Sequence, residues 1–501
     1  MEQSEVAMAH AQLSARQLAE GAHGPALESI ASALSLAPGL APLWAQFSDV
    51  IRYFNLRHPV PAPVRELLSK ALEHPAVDPG DLVRPVTTLA LSRPSPLEEP
   101  LLLRLLEDVV IRDAQLERLI TDTRRRMLEE KMPLALMTAI AHQCFNAEYV
   151  FEETEAERAQ LAALRERILA AQSVSEHWCA AYAAYRPLHS LPGKTLPIES
   201  LVRRQIREPE EERRLAADIP SLSGARTAVS AKVQAQYEAN PYPRWLRAPA
   251  AGGQAPQRIS GKPRILVAGC GTGQHAIATA QQYPAASVLA VDLSMASLAY
   301  AKRKTLERGL TQIEYRQADI LALDGLQQRF DLIECSGVLH HLEDPFEGWR
   351  VLRNLLNPGA FMRVGLYSES GRRAVVRARE LIATEGFAPD AAGIRACRAA
   401  IRARSADALL ATLARNEDFF SMSGCRDLLF HVQEHRFSLP QIEAMIGRLG
   451  LRFLGFEFPD SGATLARYRE RFKDPLDLKS WHRFEMEFPD AFSRMYQFWV
   501  S

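Results

Sequence analysis

The stretch Ile265-Leu-Val-Ala-Gly269-Cys-Gly271-Thr-Gly273-Gln-His275 decides the fold of this chain. A run of apolar, partly β-branched residues stops at three glycines on alternate positions. Ala276-Ile-Ala-Thr-Ala280 follows at once as a small-residue helical segment. The pattern predicts a strand, a tight turn nearly bare of side chains, and a helix start. Such a turn lets the backbone come into contact with a ligand, and the first helical turn offers free N–H groups. Together they point to a nucleotide-like cofactor at the carboxyl end of a sheet strand.

The glycine spacing narrows the cofactor. A dinucleotide fingerprint needs G-x-G-x-x-G, and Gln274 stands where its third glycine belongs. Downstream, Ser287-Val-Leu-Ala-Val-Asp292 reads as a second short strand ending in an acid. It lies about 20 residues after the loop, where a ribose-binding carboxylate belongs. Tyr315-Arg-Gln-Ala-Asp319-Ile320 gives a third strand end, with an acid beside an apolar residue. Arg329-Phe-Asp-Leu-Ile-Glu-Cys335-Ser-Gly-Val-Leu-His340-His341 reads as a fourth strand running into a loop.

With these motifs in order, the chain resembles the class I S-adenosylmethionine-dependent methyltransferases. The residues that carry the resemblance are Ala268–Gly273, Val291-Asp-Leu-Ser294, Ala318-Asp-Ile320, Phe330-Asp-Leu-Ile333, Gly337-Val-Leu-His-His-Leu342 and Leu356-Asn-Pro-Gly359. It covers residues 229–370 well and the rest poorly. The resemblance implies S-adenosylmethionine as cofactor. It places Gly269, Cys270, Gly271, Gly273, Asp292, Leu293, Asp319, Ile320 and Ser336 at the cofactor. Within that set, Asp292 would hold both ribose hydroxyls, Asp319 would accept from the adenine amino group, and Ile320 would pack on the ring.

Composition sets the outer bounds. A chain of 501 residues is expected to hold about two to four domains. With 60 basic and 60 acidic residues the net charge is zero, which makes nucleic acid an unlikely partner. No apolar run approaches the roughly 18 residues needed to span a bilayer. The acidic start Met1-Glu-Gln-Ser-Glu lacks the basic and apolar regions of a secretory signal. Six scattered cysteines without a C-x-x-C suit reduced thiols in a cytoplasm.

The expected architecture is multidomain: an α-helical, repeat-like N-terminal domain followed by an α/β Rossmann-like methyltransferase domain with a helical insert. Residues 1–190 read as all-helical. Ala26, Ile30, Ala33 and Pro38 match second-helix positions of a tetratricopeptide repeat, Leu13 fits the preceding helix, and Trp44 and Phe47 fit the start of the next repeat. Residues 191–245 read as a linker and cap. The methyltransferase domain is expected at 246–458, behind a Gly/Pro/Gln-rich lead-in at 250–263. Its helical insert, 368–437, should form a lid over the methyl acceptor. Residues 459–501, rich in aromatics, read as a C-terminal helical extension, and the usual last strand of the sheet has no evident place.

The donor is a sulfonium and already a strong electrophile, so the protein need only align a nucleophile and, where necessary, remove its proton. His340 and His341 follow the fourth strand at the ligand-binding edge, and either could be a general base. Within Gln236-Tyr-Glu-Ala-Asn-Pro-Tyr-Pro-Arg-Trp245, prolines fix an extended path among aromatics, which makes Tyr237, Tyr242 and Arg244 candidate acceptor contacts. His431-Val-Gln-Glu-His435 matches the H-x-x-E-H pattern of some zinc proteases. In this setting it reads as acceptor-pocket lining through Asp427, His431, Glu434 and His435, and no metal is expected. The expected reaction is methyl transfer to an O or N nucleophile of a small molecule or peptide. The alternatives are a protein substrate recruited by the N-terminal helices, and a non-catalytic cofactor-binding scaffold.

Overall fold

The four strands predicted around the glycine turn lie in one sheet. The computed structural model describes residues 2–247, 259, 261–458, 462–492 and 495–501; most of the 250–263 lead-in lies outside them. Strands β1 (Arg264–Ala268), β2 (Ser287–Asp292), β3 (Ile313–Gln317), β4 (Phe330–Ser336) and β5 (Leu356–Tyr367) are joined by β6 (Phe453–Phe456) and β7 (Met495–Val500). Their order across the sheet is β3-β2-β1-β4-β5-β7-β6. The first five pair in parallel, and β7 runs antiparallel between β5 and β6. Each parallel pair needs a crossover, supplied by helices such as Gln274–Gln282 and Met295–Glu307. β1 is apolar at four successive positions because helices cover both faces of the sheet.

One face of the sheet, with Tyr496 and Phe498, packs on Trp349, Trp481 and Phe484, and the other, with Tyr315, on Ala276 and Leu298. The helical reading of 459–501 needs correction at its end. Helices Ala463–Arg469 and Leu478–Glu487 are present, but the chain then forms β7, the last strand of the sheet. Tyr496, Phe498 and Val500 are buried and alternate with partly exposed neighbours, which is the period of a strand.

The chain divides into two units: Met1–Glu210 with 244–252 and 415–422, and 211–243 with 253–414 and 423–501. The first unit thus runs to Glu210, and Ala228–Ala239 falls in the second. In the first unit the helices include Glu2–Ala19, His23–Leu36, Ala41–Ile51, Ala114–Arg126, Leu134–Asn146 and Glu155–Ala170. Ala26, Ile30, Ala33, Trp44 and Phe47 are buried as the repeat pattern requires, but Leu13 is 38% exposed. Ala11 and Ser14 take the inward positions instead.

A charged knot also holds this unit. Thr154 caps helix Glu155–Ala170 through a capping box with Glu157. Arg124 reaches Glu157 at 3.1 Å, and Tyr185 donates to it at 2.7 Å.

Candidate active site

The glycine turn after β1 is tied down by its own backbone. Gly269 and Cys270 both donate to the carbonyl of Val291, at 2.8 and 2.9 Å. Gly271 N–H donates to Asp292 Oδ2 at 2.8 Å, and Ser294 N–H donates to Oδ1 at 2.9 Å. The carboxylate at the end of β2 therefore holds the turn from below. Burial pushes the Asp292 carboxyl up, and these backbone donors oppose the shift. Glu238, on helix Ala228–Ala239, caps helix Met295–Glu307 by accepting from Met295 and Ala296 N–H at 2.7 and 3.0 Å.

A cavity of about 440 Å³ opens at the carboxyl ends of β1, β2 and β4. Of the residues singled out from sequence, Gly269, Cys270, Gly271, Asp292, Leu293, Asp319, Ile320, Ser336, His341, Tyr237, Tyr242 and Asp427 line it. Asp319 accepts from Arg226 and Leu321 N–H at 2.9 and 3.0 Å, which fixes its carboxylate against the wall. The cavity also takes in Ser230, Val338, Tyr367 and Met495. Tyr367 and Met495 come from facing strand ends of β5 and β7, paired in register. Nothing local in the sequence marks that pairing; the late strand had to be found first.

Six expected site residues, Glu434 among them, lie outside the lining. Gly273 has φ +88° and starts the helix, and a Cβ there would lie 2.5 Å from that of Ala301. Its glycine is thus required by helix packing. His340 is fully buried and stacked on Tyr367 at 3.6 Å, and neither of its ring nitrogens has a partner among the described residues. Burial holds it well below the usual histidine range, and its side chain lies outside the cavity lining. Arg244 clusters with the first unit, its guanidinium over the Phe145 ring. His435 sits beside the Gln433 side chain at 2.9 Å. His431 stands behind the wall, in contact with Tyr237 and stacked on His341 at 3.6 Å.

The H-x-x-E-H residues do not face one another. They lie on a non-helical segment, and each faces a different partner. Glu434 pairs with Arg372 at 2.5 Å and Arg379 at 3.0 Å. Burial pushes its carboxyl up, but the arginines outweigh burial and leave it below the usual range.

The donor set fits a nucleoside sulfonium. Bare backbone at Gly269 and Gly271, the Asp292 carboxylate and the apolar walls of Leu293 and Ile320 are what an adenosine group would meet. A family model described as a methyltransferase domain matches residues 265–359. The chain is similar to the ubiquinone biosynthesis O-methyltransferase of Azotobacter vinelandii, 35% identical over 103 residues, which is 20% of this chain and 43% of that enzyme. It thus spans less than half the length of that relative. A solved structure, PKMT2 from Rickettsia typhi in complex with AdoHcy, is 18% identical, covers 48% of each chain and gives a TM-score of 0.38.

Fold and domain together define an S-adenosylmethionine-dependent methyltransferase, with S-adenosylmethionine as its cofactor. Within that class, the chain belongs to the family of the uncharacterized protein syc1184_c of Synechococcus sp. (strain ATCC 27144 / PCC 6301 / SAUG 1402/1). The two are 32% identical over 294 residues, 52% of this chain and 68% of that one.

Proposed function

We propose that this chain transfers a methyl group to an O or N nucleophile of a small molecule or peptide. The observation that carries this reading is the continuity of the cavity. One end is lined by Asp292, Leu293, Asp319 and Ile320, and the other by Tyr237, His341, Tyr367 and Asp427. When bound, the cofactor supplies a sulfonium-activated methyl group. Asp292 holds the ribose hydroxyls, because a carboxylate accepts two hydrogen bonds at once. Asp319 accepts from the adenine amino group, and Ile320 packs on the ring. The polar far end orients the nucleophile, and the insert, which contributes Asp427, closes over it. The ends of the insert are pinned to the sheet edge, with Glu369 N–H donating to Phe437 O and Phe437 N–H to Tyr367 O, both at 2.9 Å.

Calorimetry with S-adenosylhomocysteine tests the cofactor half, and transfer of labelled methyl from S-adenosylmethionine to a metabolite and peptide pool tests the reaction. No binding at millimolar cofactor would overturn the enzyme reading and favour a scaffold.

A second reading, a protein acceptor recruited by the first unit, is favoured by one observation. Val6 and Leu13, seven positions apart on one face of the first helix, are exposed at 45% and 38%. The first three helices then act as a degenerate tetratricopeptide pair. Deleting that helix should lower turnover of the protein acceptor without changing cofactor affinity; equal turnover refutes this reading. No helix among the described residues is long and apolar enough to cross a membrane. All six cysteines are buried and none forms a disulfide, which suits a reducing cytoplasm.

A further inference from the structure

Ser297 stands on the first turn of helix Met295–Glu307, and its hydroxyl has no hydrogen-bond partner among the described residues. The residue is buried, at 1% exposure. The polar groups around it are already in use. Met295 and Ala296 N–H donate to the Glu238 carboxylate, and Ser297 N–H donates to Ser294 Oγ at 3.1 Å. A serine hydroxyl inside a helix ordinarily turns back to the carbonyl four residues earlier. For Ser297 that is the carbonyl of Leu293, which accepts from Gln317 Nε2 at 3.0 Å instead. Thr305, in the same helix, shows the ordinary arrangement: its Oγ1 donates to the carbonyl of Ala301 at 2.9 Å.

An unpartnered buried hydroxyl lowers stability, and alanine at the same place would remove that cost and favour the helix. A group that breaks the rule in this way asks for a ligand that completes it. Ser297 lines the same cavity as Asp292, Leu293, Asp319 and Ile320. One torsion places a serine oxygen, so a serine in that wall brings its hydroxyl to the cavity within a single rotamer step. Its chemistry complements that of its neighbours. The Asp292 and Asp319 carboxylates accept, and backbone N–H groups fix both of them. Adenosine has more than hydrogens to give: its ring nitrogens and ribose oxygens are acceptors, and a hydroxyl can donate to them.

We propose that Ser297 is a cofactor-binding residue whose hydroxyl donates to the adenosine group of S-adenosylmethionine. This rests on the cofactor reading above and adds a donor to the two acceptors assigned there. The Glu238 carboxylate and Ser294 hold the first turn of the helix, so the position of Ser297 is set before the ligand arrives. In the free protein the hydroxyl is a cost; beside adenosine it gains its partner. Its removal therefore acts with opposite signs on the two states. The free protein is relieved of an unpaired group, and the complex loses a hydrogen bond. A serine kept for packing or for the helix start would weaken both states together.

Calorimetry with S-adenosylhomocysteine on the full chain, paired with thermal unfolding of the free protein, tests this. Ser297→Ala should weaken binding about 5-fold or more, as the loss of one buried hydrogen bond predicts. Its melting temperature without ligand should equal or exceed that of the unmodified chain. Ser297→Cys, close in size but a weak donor, should lose affinity as alanine does. The 1-, 3- and 7-deaza forms of S-adenosylhomocysteine, each with C–H in place of one ring nitrogen, locate the acceptor. A form whose deficit disappears in Ser297→Ala marks that nitrogen as the partner; deficits that all persist beside the weakened binding place the hydroxyl on the ribose. Unchanged affinity in Ser297→Ala overturns the proposal. So does full affinity in Ser297→Cys, or a free-protein melting temperature that falls along with binding. A chain that binds no S-adenosylhomocysteine before any substitution overturns the cofactor reading instead, and the role of Ser297 with it.

Discussion

Gly273→Ala separates two reasons for a glycine in the turn after β1. If Gly273 were needed for approach to the cofactor, the substitution would act on binding. The structure places it outside the cavity and against helix Met295–Glu307. Its φ is +88°, a region that costs a residue with a Cβ about 1–2 kcal/mol. The new Cβ would lie 2.5 Å from Ala301 Cβ and 3.0 Å from its Cα. Neither atom can rotate away, so turn or helix must shift, at about 1–3 kcal/mol for overpacking. The expected loss of stability is about 2–5 kcal/mol in total. Gly359→Ala is the control: its φ is +76°, but nothing lies within 4 Å, so it should cost only about 1–2 kcal/mol. Native-state hydrogen exchange in peptides from β1 and residues 295–307 reads the difference locally. Saturating S-adenosylhomocysteine should restore much of the lost protection, because ligand binds only the folded turn. Equal losses in the two variants would refute the packing account.

Three further outcomes follow from the same geometry. Asp292→Asn removes the charge and turns an amide donor toward the N–H of Gly271 or Ser294, so S-adenosylhomocysteine affinity by calorimetry should fall about 10-fold or more; an unchanged value contradicts the ribose role. Deleting 495–501 removes the strand that joins β6 to β5 and exposes the aromatic face beneath it; the expected product is insoluble, and a soluble, cofactor-binding truncate would count against the sheet order. Burial pushes the Glu157 carboxyl up, but hydrogen bonds from Thr154 and Tyr185 and the Arg124 charge outweigh it and hold it down to about 2, from 4.5. A depressed carboxyl stabilises above its unfolded pKa and loses that contribution as pH falls through the folded one. Acid unfolding should therefore be shallower in Glu157→Gln between about pH 4.5 and 2, and identical curves would dismiss the knot's role.

The cavity wall at the carboxyl ends of the first strands was legible because it is local. Each of its parts is a strand end plus one or two residues: Gly269–Gly271, Asp292–Leu293, Asp319–Ile320. Period, composition and order along the chain were enough to assemble them. The last strand was missed because its neighbours are helical and aromatic, although Tyr496, Phe498 and Val500 carry the alternation that betrays it. Gly273 looked like a ligand position because a φ above zero and a tight packing contact demand the same residue as a ligand approach does. His340 looked equivalent to His341, since adjacent residues in a short 3-10 turn share every sequence cue. Only the direction of each side chain distinguishes them, one into the core against Tyr367 and one onto the cavity.

The far end of the cavity is harder to read because two of its hydrogen bonds come from one peptide group. Tyr237, His341, Asp427 and Gln433 come from four separate stretches, and the side chain at 433 plays no part in setting the tautomers. This also accounts for the H-x-x-E-H spacing without a metal. His431 accepts the N–H two residues on, Glu434 anchors the strap to Arg372 and Arg379, and His435 N–H bonds the carbonyl of His340 at 2.8 Å. A zinc helix would instead turn both histidines to one face. Substituting Gln433 should accordingly matter little, whereas deleting one residue between His431 and His435 would turn the 433 peptide away from both imidazoles. The tautomers would then be free to exchange.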